Sequence, residues 1–141
     1  MKLVARAIVG ILAAALATTV ATTPAQAVPG SYHVQLLTCD VEDSGTDDRI
    51  EARLNGTISS PWLLLDEDAH ESDLRHSYSA SVTMPYLGPI KSVDLSVDYH
   101  GDHICVEAVI VRGPDGVTVH PHHNWVRWRY SKAFPLRLQA A

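Results

Sequence analysis

A dense group of carboxylates lies early in the chain. The run CDVEDSGTDDRIEARLNG, residues 39–56, holds six acidic residues around Gly45, namely Asp40, Glu42, Asp43, Asp47, Asp48 and Glu51. Carboxylates this close repel one another unless a cation neutralises them, and Ca²⁺ suits this role because it accepts many oxygen ligands, backbone carbonyls included. Gly45 would let the chain turn sharply and bring a carbonyl inward. The run therefore indicates either a calcium loop or a solvated acidic loop.

The spacing of this run also resembles an EF-hand loop. Counted from Asp40, acidic or hydroxyl residues fall at several ligand positions, with glycine at the usual turn position. An EF-hand needs a helix on each side of the loop, whereas the flanks YHVQLLT and RIEARL alternate like strands. Asp47 also stands where an EF-hand carries an apolar residue. The flanks therefore disfavour an EF-hand.

Apolar residues recur with a period of two through most of the chain. The predicted inward-facing sets are Tyr32, Val34 and Leu36; Ile50, Ala52 and Leu54; Tyr78, Ala80, Val82 and Met84; and Val93, Leu95 and Val97. Turn sequences such as Asn55-Gly56 and Leu87-Gly88-Pro89 separate these runs. About eight short strands with frequent turns are typical of an antiparallel β-sandwich or barrel. The pattern thus predicts an all-β domain.

The first 27 residues have the layout of a secretory signal peptide. Lys2 and Arg6 precede an apolar run from Ala7 to Ala17, and the small residues of ATTPAQA follow. A membrane anchor is the alternative, but the apolar run is short for spanning a bilayer. We therefore expect a leader over residues 1–27 and a single secreted domain over residues 28–141.

Charge is unevenly distributed along the chain. The formal net charge is −5, from 11 Lys and Arg against 16 Asp and Glu, and loss of the two cations in the predicted leader would make it more negative. Such a balance disfavours nucleic acid as a partner, because phosphate binding needs a positive surface. Most of the acids lie between Asp40 and Asp73, and four cations, Arg127, Arg129, Lys132 and Arg137, lie in the C-terminal part. We expect an acidic end and a basic tail.

The chain has two cysteines, Cys39 and Cys105. In a secreted protein a disulfide is the default state, and two free thiols or a metal pair are the alternatives. Closing so long a loop would stabilise the fold by about 4 kcal/mol in the chain-entropy model.

Two other kinds of chemistry have weaker sequence support. The late histidines could form a Zn²⁺ or Cu²⁺ site or simply occupy a strand end: His100, His103, His120, His122 and His123. No GxSxG or HExxH motif occurs, and no nucleophile stands in a convincing context. We therefore expect a binding module and not an enzyme.

The ordered motifs resemble PLAT domains, also called LH2 or lipoxygenase-homology domains. The run YHVQLLTCDVEDSGTDDRIEARLNG resembles the family's opening strand, acidic Gly-Thr-Asp loop and second strand. WLLLDEDAHESDL, YLGPIKSVDLSVDYHGD and VHPHHNWV resemble later family blocks in the same order. The resemblance covers about residues 31–128 and implies an eight-stranded antiparallel β-sandwich.

The family resemblance also implies a set of calcium ligands. In the acidic loop it points to Asp43, the carbonyl of Gly45, and Asp47 or Asp48. A second loop would supply Asp98 and the carbonyl of Tyr99, and Asp73 would belong to a second, weaker site. The predicted order also puts Cys39 and Cys105 beside these loops.

Three aromatic residues are candidate lipid or partner contacts, Trp62, Trp128 and Tyr130, whereas Trp125 is expected in the core. The resulting expectation is a secreted module that binds a lipid or membrane surface with calcium. The alternative is an extracellular protein-interaction module, such as a partner or inhibitor of a secreted enzyme, in which calcium is structural.

Overall fold

The computed structural model describes residues 28–68, 74–98, 103–126 and 130–141. The predicted leader and the residues Asp73, Tyr99 and Trp128 lie outside these ranges. The strands are β1 Pro29–Thr38, β2 Ile50–Asn55, β3 Leu63–Glu67, β4 Ser77–Pro85, β5 Ser92–Val97, β6 Ile104–Gly113, β7 Gly116–Val126 and β8 Leu136–Gln139. None of the described residues belongs to a helix that could span a bilayer.

The strands form an antiparallel sandwich in the order β7-β6-β1-β4-β3-β2-β5-β8, which confirms the predicted fold class. One layer contains β7, β6, β1 and β4, and the other contains β3, β2, β5 and β8. The layers join where β3 pairs with β4, through Asp66 with Ser79 and Glu67 with Tyr78. At the opposite edge the Ala141 amide donates to the Val119 carbonyl at 2.9 Å, so the sheet nearly closes on itself.

The core lies between the two layers and follows the predicted alternation. Val34 and Leu36 on β1 meet Leu54 on β2 and Leu95 on β5, and all four side chains are fully buried. The inward positions of β4 complete this core, since Tyr78 and Met84 are buried and Ala80 and Val82 pack against it. Apolar residues on one face of each antiparallel strand therefore dictate which face is buried.

The prediction that Trp125 belongs to the core is wrong, because its side chain is 38% exposed. Trp125 pairs with Cys105 across β6 and β7, whereas the next residue, Val126, pairs with Ile104. Ile104 and Val126 are core residues. Because directly opposed residues share a face and neighbours along a strand alternate, Trp125 points away from the core.

The antiparallel order gathers the loops into two groups. The connections that follow β1, β3, β5 and β7 lie at one end of the sandwich, which we call the acidic end because it contains residues 40–49. The connections that follow β2, β4 and β6 lie at the opposite end. The acidic loop and Asp98 are thereby brought to the same end although they are far apart in sequence.

Candidate functional site

The acidic loop, residues 40–49, alternates between inward hydroxyl side chains and outward carboxylates. Ser44 and Thr46 are buried, whereas Asp43 and Asp47 are exposed. The Ser44 hydroxyl donates to the Leu74 carbonyl at 2.7 Å and lies 2.9 Å from the Thr38 hydroxyl. The buried hydroxyls thus anchor the loop, and Asp43 and Asp47 face solvent, as do Asp40 and Glu42.

Tyr78 on β4 provides a second anchor for the loop. The Thr46 amide donates to the Tyr78 hydroxyl, which in turn donates to the Thr46 carbonyl, both at 2.9 Å. The Asp48 amide bonds the Thr46 side chain at 3.1 Å, and Asp48 itself is buried. Asp48 is therefore placed differently from Asp43 and Asp47, although the three are near neighbours in sequence.

The disulfide predicted from the cysteine count is confirmed. Cys39 and Cys105 are bonded, with Cα atoms 5.4 Å apart and a sequence separation of 66. The Cys39 amide donates to the Cys105 carbonyl at 2.8 Å, and the Cys105 amide donates to the Ser44 carbonyl at 2.9 Å. The bridge therefore ties the acidic loop to the start of β6.

A cleft of about 370 Å³ lies between the acidic loop and the adjoining ends of β3 and β4. Its walls are formed by Asp43, Gly45, Thr46, Asp47, Glu67, His76 and Tyr78. The Nδ1 atom of His76 is 2.9 Å from Oε1 of Glu67. A Cβ atom at position 45 would come within 2.7 Å of the His76 ring, so this close approach requires glycine.

Sequence reasoning missed Glu67 and His76 as lining residues. The signal in the sequence was the acidic run Asp66 to Asp68, and the pairing of β3 with β4 is what places that run beside the loop. Such pairing depends on which strands become neighbours, and the period-two pattern does not specify that.

Asp98 lies beside the C-terminal end of the acidic loop. Its amide donates to the Arg49 carbonyl at 2.9 Å, continuing the pairing of Val97 with Ile50. The fold thus makes neighbours of the two segments from which calcium ligands are expected. Among the described residues, however, no three Asp, Glu, His or Cys side chains converge on a metal position. Asp73 and Tyr99, the remaining predicted ligands, are outside the described ranges.

The predicted aromatic contacts occupy different settings. The Arg53 guanidinium lies 4.9 Å from the centroid of the Trp62 ring, so Trp62 packs against the side of the sandwich. Tyr130 is partly buried against the core, and its carbonyl accepts from the Val97 amide at 2.9 Å. Trp128 is outside the described residues.

Other apolar side chains are exposed at the acidic end, and the sequence reading did not select them as contacts. They are Val41 at 42%, Leu74 at 42%, Trp125 at 38% and Phe134 at 77% exposure. Backbone contacts place Leu74 at this end, because its carbonyl meets Ser44. Phe134 closes a turn with Ser131, just after Tyr130. Exposed carboxylates and exposed apolar groups therefore share one end of the molecule.

Buried charge lies on the outer face of β2, β5 and β8. Burial alone would raise the pKa of Asp94, but hydrogen bonds from Arg137, Arg53 and Asn55 outweigh burial and lower the pKa to about 2. Asp94 accepts from Arg53 Nη2 at 2.8 Å and from Arg137 Nε at 2.7 Å. The carboxylate is therefore ionised and doubly paired.

The histidine-rich part of β7 is divided among separate environments. Burial lowers the pKa of His120, whose Nε2 lies 3.0 Å from the Thr118 hydroxyl. Burial lowers the pKa of His122, and the nearby His123 lowers it further. His123 points elsewhere, with its Nδ1 2.8 Å from Glu107. These described histidines do not converge on a shared metal position.

Comparison with solved structures finds lipoxygenases and a bacterial toxin. A lipoxygenase variant matches with a TM-score of 0.64 and 27% identity, over 81% of this chain and 17% of that chain. The coral 8R-lipoxygenase, described as activated by calcium through a C2-like domain, matches with a TM-score of 0.58 and 26% identity, over 78% and 17%. Alpha toxin from Clostridium absonum matches with a TM-score of 0.53 and 18% identity, over 69% and 29%.

The chain thus spans about 17% of the length of these lipoxygenases, a share that corresponds to their non-catalytic PLAT/LH2 region. No protein-family model and no curated protein matches the chain. The likeness to solved structures, together with the strand order, describes a PLAT/LH2-like β-sandwich.

Proposed function

We propose that this chain is a secreted module that attaches to a lipid or membrane surface with the assistance of calcium. One observation carries the proposal: exposed carboxylates and exposed apolar side chains share the acidic end. Asp43 and Asp47 face outward from the loop, and Val41 and Phe134 are exposed at the same end. Bound Ca²⁺ would neutralise the carboxylates, so that the apolar side chains could approach anionic headgroups.

The donors at the acidic end fit calcium in kind. Carboxylates and backbone carbonyls are the oxygen ligands that calcium prefers, and Asp43, Asp47, Asp98 and the carbonyl of Gly45 are of this type. The proposed ligand set also includes Asp48, Asp73 and the carbonyl of Tyr99. The calcium activation described for the coral 8R-lipoxygenase supports this choice of metal, since that protein matches this chain at 26% identity.

A second candidate function is an extracellular protein-interaction module with structural calcium. It is favoured by the small share of each lipoxygenase that the chain matches, about 17%, because the matched region there belongs to a larger protein. The exposed apolar residues of the acidic end would then contact a protein partner, and calcium would only order the loops.

Vesicle sedimentation separates the two candidates. The mature chain should sediment with vesicles of phosphatidylcholine and phosphatidylserine in calcium, and a chelator should reduce that fraction. If the protein stays in the supernatant with both anionic and neutral vesicles at saturating calcium, the lipid proposal fails. A calcium-dependent rise in thermal stability without any vesicle binding would favour the protein-interaction module.

A thermal melt with added calcium tests the metal site itself. Calcium at about 100 times its Kd should stabilise the folded state by about 3 kcal/mol. Asp43→Asn and Asp98→Asn should each abolish most of that increase. Asparagine suits position 43 because Asp43 has a φ of 56°, which asparagine tolerates.

The matched control is Asp115→Asn, at the turn from β6 to β7 on the opposite end. Asp115 is an exposed carboxylate that accepts from the Tyr86 hydroxyl at 2.7 Å. An equal loss of the calcium response in this variant would show that overall charge, and not the acidic end, binds the metal.

A further inference from the structure

The outer face of β2, β5 and β8 presents cations above buried carboxylates. We call this surface the cationic face and define it by four residues, Arg49, Arg53, Lys132 and Arg137. Glu51 and Asp94 lie beneath them and are almost completely removed from solvent. The face therefore presents positive groups to solvent on a chain whose formal net charge is −5.

The first row of this face runs across three adjacent strands. Arg53, Asp94 and Arg137 are directly opposed in the register of β2, β5 and β8. The side chain of Asp94 is 0% exposed, whereas those of Arg53 and Arg137 are 30% and 54% exposed. The two guanidinium groups thus cover the carboxylate, and part of each remains available to solvent.

The second row lies closer to the acidic end. Glu51 accepts from Arg49 at 3.3 Å and pairs with Lys132 at 2.9 Å. The Glu51 side chain is only 7% exposed, while those of Arg49 and Lys132 are 55% and 51% exposed. Here again the cations are accessible and the carboxylate is not.

The neighbourhood of the face limits its positive area. Asp66 on β3 and Asp98 after β5 are both exposed next to Arg49, so the positive area is centred on Arg53, Lys132 and Arg137. Trp62 contacts Arg53 on this face. Because Arg49 is also the last residue of the acidic loop, the cationic face borders that loop directly.

We infer that the cationic face binds anionic phospholipid headgroups directly and without calcium. Its cations are spread over one outer face of the sandwich and keep between 30% and 55% of their side-chain surface in solvent, which suits an array of phosphates. Trp62 beside Arg53 combines an apolar ring with a cation, as side chains at a membrane interface often do. This binding rests on the proposed function in that the partner is again a lipid surface, but it uses different residues and needs no metal.

Vesicle sedimentation of the mature chain in a chelator tests this inference. The protein should bind vesicles that contain phosphatidylserine, should not bind vesicles of phosphatidylcholine alone, and should be released by high salt. Each cation near an anionic membrane surface contributes about a fivefold change in partition. The double variant Lys132→Gln, Arg137→Gln should therefore bind roughly 25-fold more weakly.

Two control variants separate charge at this face from net charge and from folding. Arg112→Gln removes an exposed cation from the other layer, where Arg112 bonds Gln35 at 3.2 Å, and should bind nearly as the wild type does. Arg137→Lys keeps the charge but loses the two-pronged contact with Asp94, and should also retain binding. If the double variant folds poorly, Lys132→Gln alone should still weaken binding about fivefold.

Three results would overturn the inference. The first is that the protein does not bind phosphatidylserine vesicles in chelator. The second is that Arg112→Gln and Lys132→Gln weaken vesicle binding equally. The third is that the protein is retained on heparin in a way that depends on Lys132 but does not bind vesicles. The calcium arm keeps the two lipid proposals distinguishable. Vesicle binding that appears only in calcium and is lost in Asp43→Asn would contradict the role of the cationic face alone. Vesicle binding in chelator that calcium does not increase would contradict the calcium-assisted function alone.

Discussion

Asp94 is a fully buried carboxylate on the outside of a sheet, and its partners explain how it remains charged. A lone buried carboxylate would be neutral, because burial disfavours its ionised form. Arg53 and Arg137 meet both of its oxygen atoms. The pKa of Asp94 falls to about 2 because these hydrogen bonds outweigh the cost of burial.

This pairing predicts a loss of stability in acid. Since the folded pKa of Asp94 is below its unfolded value, the contribution is present above pH 4 and disappears as pH falls towards 2. The shift corresponds to about 2 kcal/mol. Urea unfolding of the wild type and Asp94→Asn should show the variant less stable near neutral pH. The difference in free energy of unfolding between the two proteins should shrink by about that amount in acid. A difference that does not change with pH would contradict the pairing.

His120 predicts a second pH effect, in a milder range. Burial lowers the pKa of His120, so the unfolded chain binds a proton more readily than the folded chain does. Stability should therefore fall as pH drops below about 6.5, the ordinary histidine value. The melting midpoint of His120→Gln should depend less on pH than that of the wild type. His33→Gln is the control, since His33 lies on an outer face of the sandwich. If His33→Gln reduces the pH dependence of the melting midpoint equally, the role of His120 is contradicted.

At the scale of elements, the acidic loop is ordered by hydroxyl groups from the strands around it. Tyr78 on β4 makes two hydrogen bonds to the Thr46 backbone, and Thr38 at the end of β1 meets Ser44. A loop with so many carboxylates would otherwise separate by mutual repulsion. The strands thus supply the order that calcium binding would require of the loop.

Tyr78→Phe tests this anchoring. The substitution leaves the Thr46 amide without its hydroxyl partner, and should cost about 1–3 kcal/mol of stability. It should also speed hydrogen exchange at Thr46 and weaken the calcium response in a thermal melt. Tyr32→Phe is the matched control, because the Tyr32 hydroxyl accepts from the Leu87 amide at the opposite end. If Tyr32→Phe weakens the calcium response equally, Tyr78 acts only through global stability.

At the scale of the whole molecule, the disulfide closes the acidic end. It joins the end of β1 to the start of β6 across 66 residues. Replacing both cysteines, Cys39→Ser with Cys105→Ser, should lower the free energy of unfolding by about 4 kcal/mol. Urea unfolding of this variant and of the reduced wild type should agree. Wild-type stability that does not respond to reductant would contradict this account.

The same fold also separates charges that are mixed in the sequence. Asp43 and Asp47 face solvent at one end, while Glu51 and Asp94 lie under cations on the side. A count of charges predicts an acidic protein with a basic tail. Only burial reveals that several acids are hidden and that their partners remain accessible.

Strand positions and the core could be predicted because an alternating apolar pattern directly states which face is buried. The sets that begin at Tyr32, Ile50, Tyr78 and Val93 all reached the core or its edge. Trp125 could not be placed in this way, because its direction depends on the register of β6 with β7. The period of two survives a shift in register, but the face on which each side chain lies does not.

The sequence by itself determined the all-β class, the cysteine pair and the acidic loop, because each depends on local pattern or on residue chemistry. The tertiary structure alone decided that Glu67 and His76 line the cleft, that Asp98 lies beside Arg49, and that cations cover Asp94. These contacts join segments far apart in the chain. They depend on strand order and register, which long-range packing selects and no local pattern encodes.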